Sequence, residues 1–588
     1  MFRFPYELIF ILLILFGYGQ VAFSQSTIEG RVLAEQDQSP IPYAHILNHT
    51  TGLGTIANTD GFFRMDVAGP NDSITVSAIG FQSLRLPTPL SNNEIVVRMR
   101  SNSFELGEVV LEARDDSYLY KLIRDAAKGA FRGEKTSKAY YELRSFKNDF
   151  QTELVEAYYN ANLGGYGLSD LKYKIGRVGL RAVNFGYSVS VESSKAMLLL
   201  DIAGGSSLFP DMPIELGKSR MKKRFYLELE SRYKNADNDS IFVIKYYPKD
   251  TTGAFFSGVI WVNKTQASLL KVVMNCEECG VSPFVPLVGT QTIERVDMSI
   301  TQVFDLYSSS GAILKSINFD YVITYDLAGR TNAGSESTVH TQALMYFYDY
   351  DNPFFVPRFE FQPNLSDYRK VSVMPYDDFF WNNHDEYQMS TSDNRNDKFY
   401  SNPATEGVDD VFSTGVLTWS DGFFEGAFRR WSEKRLVFRP DSSRPEEMPP
   451  GGIIADKYEI AVQHFLDVNR YNDSIDIKTA VVFDPYKSFY DLPVDNQTLA
   501  FINIYFDLCE ITRLELHRKI SAVKDDQEEI ERVYAEFREK FEEFSRSFFR
   551  EVDRGTNEEA MRKYNATVVE KLGIDNIALF EIYGEPTD

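Results

Sequence analysis

Apolar and polar positions alternate with a period of two over most of this chain, and a helical period takes over only near residue 120 and again beyond residue 498. From 27 to 113 the runs TIEGRVLA, YAHILN, GFFRMDV, SITVSAI, EIVVRM and GEVVLEA are short and alternating, the pattern of strands with one buried face. Asn58-Thr59-Asp60-Gly61 and Ile79-Gly80-Phe81 set turns between them. Short strands at this spacing predict a β-sandwich. Leu119, Leu122, Ile123, Ala126, Ala127 and Ala130 then recur at steps of three and four, behind cap residues from Asp115 to Ser117, and predict a short helix.

Alternation returns between 138 and 350 in KAYYELRSF, ELVEAYYNAN, RFYLELESRY, SIFVIKYYP, FSGVIWVNK, SLLKVVMN, ERVDMSITQVFDLY, ILKSINFDYVITY and TVHTQALMYFYDY. Asn263-Lys264-Thr265-Gln266 reads as a polar turn between two strands of a meander. Pro353, Pro357, Pro363 and Pro375, followed by SDNRNDKFYSNPATEG, predict an irregular connection. Beyond it KYEIAVQHFLDV and SIDIKTAVVFD read as strands. The segment Leu499 to Ile511 is apolar on most sides and predicts a buried core helix. Ile530, Val533, Tyr534, Phe537, Phe541, Phe544 and Phe548 form one stripe of a long amphipathic helix, whose apolar face is expected to pack on its own domain.

The chain thus reads as multidomain and mainly β with an α+β C-terminal part. The expected divisions are a signal peptide at 1–24, a β-sandwich at 26–113, a helix plus antiparallel β meander or half-barrel at 114–350, a Pro/Asp-rich irregular connection at 351–433, and an α+β domain with long helices at 434–588. The signal peptide rests on Arg3, the apolar run Leu8 to Phe16, and small residues at Ala22 and Ser24 before Gln25. That run is too short to span a bilayer, which takes about 20 residues. No Cys follows the expected cut to carry a lipid, and no later stretch is long enough for a transmembrane helix.

Composition narrows the partners. Hydrophobic residues make up 43% and charged residues 25% of the 588, an ordinary globular balance, while 45 Phe and 34 Tyr against 4 Trp favour pleated surfaces. The 85 acidic and 62 basic residues leave a net charge of -23, which repels a phosphate backbone unless cations gather locally. No basic stripe is expected, and nucleic acid is excluded as a partner.

Chemistry-bearing residues are sparse. Cys276-Glu277-Glu278-Cys279 lacks the two further ligands of a zinc site, and its two glutamates oppose a thioredoxin-like thiolate; a turn disulfide or two inert thiols is the plainer reading. Asp377, Asp378, Trp381, Asn382, His384, Asp385 and Glu386 crowd together, yet their spacing matches no ligand scheme and suits a solvated loop with aromatic anchors. Of the histidines, His45, His49, His340 and His464 fall in or beside β runs. His517 follows Glu510 by two helical turns without a nucleophile to serve. No GxSxG elbow, phosphate-binding glycine loop or dinucleotide fingerprint is present.

Three resemblances add to this. TIEGRV, PIPYAHI, GTIANTDGFFRM, ITVSAIGFQS and the closing LGEVVLEA resemble, in order, the carboxypeptidase-regulatory-like domain, a transthyretin-like sandwich of Gram-negative envelope proteins. The resemblance implies an accessory module and a cell-envelope location. The central meander resembles the half-barrels of periplasmic lipid carriers in fold alone. KSFYDL, LAFINIYFDLCEITRLELHRKI and VDRGTNEEAMRKYNATVVEKL are similar to a bacterial zincin-like peptidase family. That family carries a helical HExxH, whose two His share a helix side and whose Glu polarises the metal-bound water. This chain departs from it, with Phe501, Ile502 and Tyr505 at those places, Asp507 and Glu510 further along, and Arg554 before Gly555 where the family shows His. The resemblance then implies a degenerate site without catalytic residues, metal or cofactor.

The reading that follows is an exported, non-catalytic binding or scaffolding protein, periplasmic or associated with the outer membrane, with envelope proteins or outer-membrane components as partners. The alternative is an envelope hydrolase acting on peptide or glycan through carboxylates that sequence does not single out. An outer-membrane barrel is disfavoured by the charged helices that follow the strands.

Overall fold

The structure is a computed structural model. It describes residues 26–584 apart from 51–53, 59, 68–71, 89–94, 103–116, 148–149, 181, 184–185, 188–192, 236, 286–291, 308–310, 327–335, 351, 362–364, 366, 368–369, 372–373, 385–416, 421–422, 426–427, 433, 441–457, 472 and 491–493. The expected signal peptide and the strand GEVVLEA lie outside the described residues. The chain forms two compact units, one of residues 1–104 with 233–238 and 384–393, the other of the remainder.

The first unit is the expected sandwich. Strands β1 (Ser26–Ala34), β4 (Phe62–Val67) and β7 (Ile95–Met99) form one sheet in the order β4-β1-β7. The facing sheet, β3-β2-β5-β6, holds β2 (His45–Asn48), β3 (Gly54–Ile56), β5 (Ser73–Ser77) and β6 (Leu84–Pro87). Ile28, Val32, Ile46, Phe63, Val76 and Val97 fill the space between them. At the turn, the Asn58 side chain accepts from the amides of Asp60 and Phe62, both at 2.9 Å. Gly61 takes φ +72, and a Cβ there would stand 2.4 Å from the Val32 carbonyl, so only glycine fits.

The second unit is built on an open ten-stranded sheet. Its strands are β8 (Phe131–Lys147), β9 (Phe150–Gly165), β10 (Gly167–Leu180), β13 (Phe225–Lys234), β14 (Ser240–Pro248), β15 (Ser257–Asn263), β16 (Ser268–Cys276), β17 (Thr292–Leu306), β18 (Ala312–Asp326) and β19 (Glu336–Tyr348). A two-residue hairpin, β11 (Ala182–Val183) with β12 (Gly186–Tyr187), precedes β13. The order is β10-β9-β8-β19-β18-β17-β16-β15-β14-β13, so β10 and β13 are free edges and the sheet is not a closed barrel. The predicted β15–β16 turn is present, with the Gln266 amide donating to the Asn263 side chain at 3.0 Å.

Strand alternation gives this sheet two apolar faces. On one, Tyr141, Leu143, Val155, Tyr159, Phe319 and Tyr321 are covered by helices α1 (Ser117–Ala127), α2 (Ser193–Leu198) and α3 (Lys218–Arg224), and by Phe209 and Phe284 from the loops. Phe284 stacks on Phe319 with centroids 5.8 Å apart. On the other face Tyr140, Tyr158 and Tyr346 are buried. There Tyr158 meets Phe380 and Trp381 of α4 (Asp378–Asn383) at 5.1 and 5.7 Å.

The segment expected to be an irregular connection is more ordered than that where it is described. Asn160 of β9 pins it by bonding the amide and carbonyl of Phe354, at 2.9 and 2.8 Å. Five short strands follow, β20 (Leu417–Ser420), β21 (Phe423–Glu425), β22 (Arg429–Arg430), β23 (Phe438–Pro440) and β24 (Tyr458–Glu459), then β25 (Val462–Tyr471), β26 (Ser474–Phe483) and β27 (Phe489–Tyr490). The single strand expected over KYEIAVQHFLDV is therefore two, interrupted at 460–461, because β24 pairs with β27 and β25 with β26. Helices α5 (Asn496–Ala522), α6 (Gln527–Val552), α7 (Glu558–Leu572) and α8 (Asn576–Leu579) close the chain. Asp495, Asp526, Asn557 and Asp575 cap their N-termini through side-chain oxygens.

Candidate functional site

Helix α5 carries the five positions singled out by the zincin-like resemblance, and every residue from Ala500 to Glu510 is buried. A helix surrounded on all sides needs apolar residues around its whole girth, which is why its sequence shows no amphipathic stripe. Phe501 stacks on Phe548 of α6, with centroids 5.9 Å apart and planes within 6°. Tyr505 lies against Phe548 and Phe549, at 5.3 and 4.6 Å. Its hydroxyl bonds Ser545 at 2.9 Å, and burial pushes the phenol well above its ordinary pKa. Ile502 is fully enclosed. Gly555 reaches this cluster with φ +87, and a Cβ there would stand 3.3 Å from the Phe501 Cβ. The two segments matched to the family motifs thus come together, around phenyl rings.

Asp507 and Glu510 are each held by other side chains. Asp507 is 0% exposed and accepts from Trp431 Nε1 at 2.7 Å, from Arg435 Nη1 at 2.9 and 2.7 Å, and from Asn576 Nδ2 at 2.6 Å. A carboxylate has about four lone-pair directions, so these contacts saturate it. Glu510 receives a two-pronged pair from Arg513, at 2.8 and 2.6 Å. His517, two turns on, bonds Thr479 instead of Glu510.

A cavity of about 260 Å³ opens beside this core, between β25, residues 358–360 and the middle of α6. Phe359, Phe537 and Phe541 supply apolar wall, so part of the α6 stripe lines the cavity. Lys487 meets Glu360 at 2.8 Å and Arg538 lies 3.7 Å from the same carboxylate. Lys487 holds Glu360 below the ordinary glutamate range. His464 sits in the wall, edge-on to Phe537 and Phe541 at 4.8 and 4.4 Å. Its Nε2 donates to the Cys509 carbonyl at 3.0 Å, and burial lowers its pKa from 6.5 to about 4. Through this bond the buried ring ties β25 to α5.

The acidic crowd around residue 380 disperses. Asp377 caps α4 at the Phe380 amide (3.1 Å) and accepts from Asn469 of β25 at 2.6 Å; Asp385 and Glu386 lie outside the described residues. Among the described residues no group of three or more His, Cys, Asp or Glu is placed to hold a metal ion. Cys276 and Cys279 are bonded to each other across a turn, with Cα atoms 5.6 Å apart, and Cys509 is a buried thiol. No helix among the described residues is long and apolar enough to cross a membrane.

Sequence reasoning missed the charged residues inside the second unit. Lys174 of β10 and Asp467 of β25 form an ion pair with 1% and 3% of their side chains exposed. Glu142 and Glu156 face each other across β8 and β9, and the Tyr140 hydroxyl lies 2.7 and 2.8 Å from them. Arg177 holds Glu156 at 2.6 Å. Their only signal was a cation or carboxylate inside an alternating run. The expectation that no basic cluster exists is also corrected: α3 reads KSRMKKR, and every one of its cations is exposed.

Comparison with known proteins bears on the N-terminal part. Residues 28–111 match the CarboxypepD_reg-like domain family. No curated protein matches the chain in sequence. Among solved structures it is similar to the Pseudomonas aeruginosa MucA/MucB complex, at 10% identity over 39% of this chain and 93% of that one, with a TM-score of 0.14. It is similar also to a LolA superfamily protein from Nitrosomonas europaea, at 12% identity over 39% and 93%, with a TM-score of 0.15. Scores this low carry no inference about this chain.

Proposed function

We propose that this is an exported, non-catalytic binding or scaffolding protein of the cell envelope, with the cavity beside α6 as its ligand seat. The observation that carries the reading is the packing of Phe501 and Tyr505 against Phe548 and Phe549, where a peptidase of the similar family needs imidazoles and an open water. The regulatory-like domain at 28–111 supports an accessory role on an exported chain. The cavity, with aromatic walls and charges of both signs at its mouth, suits a ligand that presents apolar and polar groups together. Glycoside hydrolysis by a carboxylate pair needs both groups open to substrate; Glu142 and Glu156, a pair the sheet brings together, are 1% and 7% exposed.

The test is elemental analysis of the purified protein together with a casein-digestion assay. Sub-stoichiometric zinc and no cleavage are expected. One tightly held zinc per chain, or proteolysis abolished by a chelator, would overturn the reading.

A further inference from the structure

We infer that the corner formed by α1 and α3 docks the protein on a bilayer surface carrying anionic headgroups. In a chain of net charge -23, five of the seven residues of α3 are cations and all five are exposed. Helix α1, packed beside it, adds Lys121 and Arg124 on its exposed side, Lys128 follows in the turn after it, and Lys249 joins from the end of β14, donating to the Lys222 carbonyl at 2.7 Å. Among the described residues none of these nine cations is in an ion pair, although Asp125, Glu215 and Asp250 are near in the chain. What sets this corner apart is density: five of these cations fall within the seven residues of α3, with the other four beside them.

Its shape selects the partner. At 100° per residue the five cations fan around every side of α3 except that of Met221, which is fully buried. Such a fan, spread over most of the helix girth, suits a plane of many charges better than a single acidic side chain. Exposed aromatic rings flank it: Tyr226 is 62% and Tyr247 43% exposed, and the Lys249 ammonium lies 4.4 Å from the Tyr226 centroid. Tyrosine next to lysine is the composition that settles at headgroup depth. Net charge opposes approach at long range, but beyond about 8–10 Å it is screened, so the local cations decide and orient the molecule with its acidic remainder away from the lipid. The inference is independent of the cavity and of what it holds.

The experiment is co-sedimentation of the protein, purified from exporting cells, with vesicles of phosphatidylcholine alone or with 30 mol% phosphatidylglycerol. Binding is expected on the charged vesicles only, and to be lost at about 0.5 M salt, where screening is complete within a few ångströms. Lys222→Gln with Lys223→Gln should weaken it about 25-fold, at roughly fivefold per cation. Arg518→Gln with Lys519→Gln, exposed on α5, should leave it unchanged. Equal binding to neutral vesicles, no binding by the folded protein, or equal losses in the two double variants would overturn the inference. So would retention on polyglutamate without retention on charged vesicles, which would assign the corner to an acidic protein.

Discussion

Removing the Lys174 ammonium should destabilise the second unit far more than removing the whole ion pair. Lys174 reaches from β10 to Asp467 of β25 and also donates to the Phe355 carbonyl at 3.0 Å. Burial pulls its pKa below the ordinary lysine value, against the opposing pull of Asp467. In Lys174→Met the carboxylate keeps two donors, the Val468 amide at 2.9 Å and Asn469 Nδ2 at 3.1 Å, but no cation. Breaking a buried pair from one side costs about 3–5 kcal/mol, and the two remaining donors place this case near 3. Lys174→Met with Asp467→Leu leaves no charge to solvate and should cost about 1 kcal/mol or less, since apolar replacement of a buried pair is often neutral. Denaturant unfolding of all four members of the cycle, read through the transition that reports β25, gives the coupling directly. A coupling under about 1 kcal/mol, or a double variant as weak as the single, would falsify the claim that the charge is buried and uncompensated without its partner.

Other expectations are simpler to check. His464 is neutral when folded, with its pKa lowered to about 4, while the unfolded imidazole titrates near 6.5. The unfolded chain therefore takes up the proton first, and up to about 3 kcal/mol of stability should drain away as pH falls from 6.5 to 4. Replacing His464 by Gln should flatten that slope in unfolding curves taken across the window; an unchanged slope refutes it. Phe548→Ala removes the ring between Phe501 and Tyr505 and should cost about 3–5 kcal/mol, against about 1 for Tyr505→Phe, which loses only the bond to Ser545. Thiol titration of the denatured, unreduced protein should count one thiol, Cys509, and three after reduction; three before reduction would show that Cys276 and Cys279 are not joined.

The sandwich strands and nine strands of the large sheet were legible because they repeat one local rule, alternation with turn residues; α6 showed an apolar stripe, and α5 a run apolar on most sides. β10 was not legible. Register shifts at Leu168/Asp170 and Tyr173/Ile175 throw its alternation out of phase, and its cations suggest exposure that Lys174 does not have. The cavity was equally hidden, since Arg358, Lys487 and Phe541 are far apart in sequence and meet only because residue 358 bridges to Leu466. The basic helix is a different case. KSRMKKR stands in plain view in the sequence. A net charge of -23 averages over it, and only its exposure on a helix shows that the average misleads there.

The candidate site shows the same division between what one strand or helix encodes and what the fold assembles. Phe501, Ile502 and Tyr505 declared in sequence that imidazole was missing, but not whether ligands converge from elsewhere. Trp431, Arg435 and Asn576 do converge, on Asp507, and as donors they occupy the lone pairs a metal would need. The same arrangement recurs with Arg513 on Glu510, Arg177 on Glu156 and Lys174 on Asp467. A carboxylate clamped in this way can neither ligate an ion nor take a proton from water without first losing a charged partner in a buried setting, which is costly. The charges in this unit therefore fix strands and helices against one another. On the proposed reading, binding falls to the cavity mouth, where the rings of Phe537 and Phe541 lie beside the Glu360–Lys487 pair, and to the corner at α3, where the cations have no carboxylate partner among the described residues.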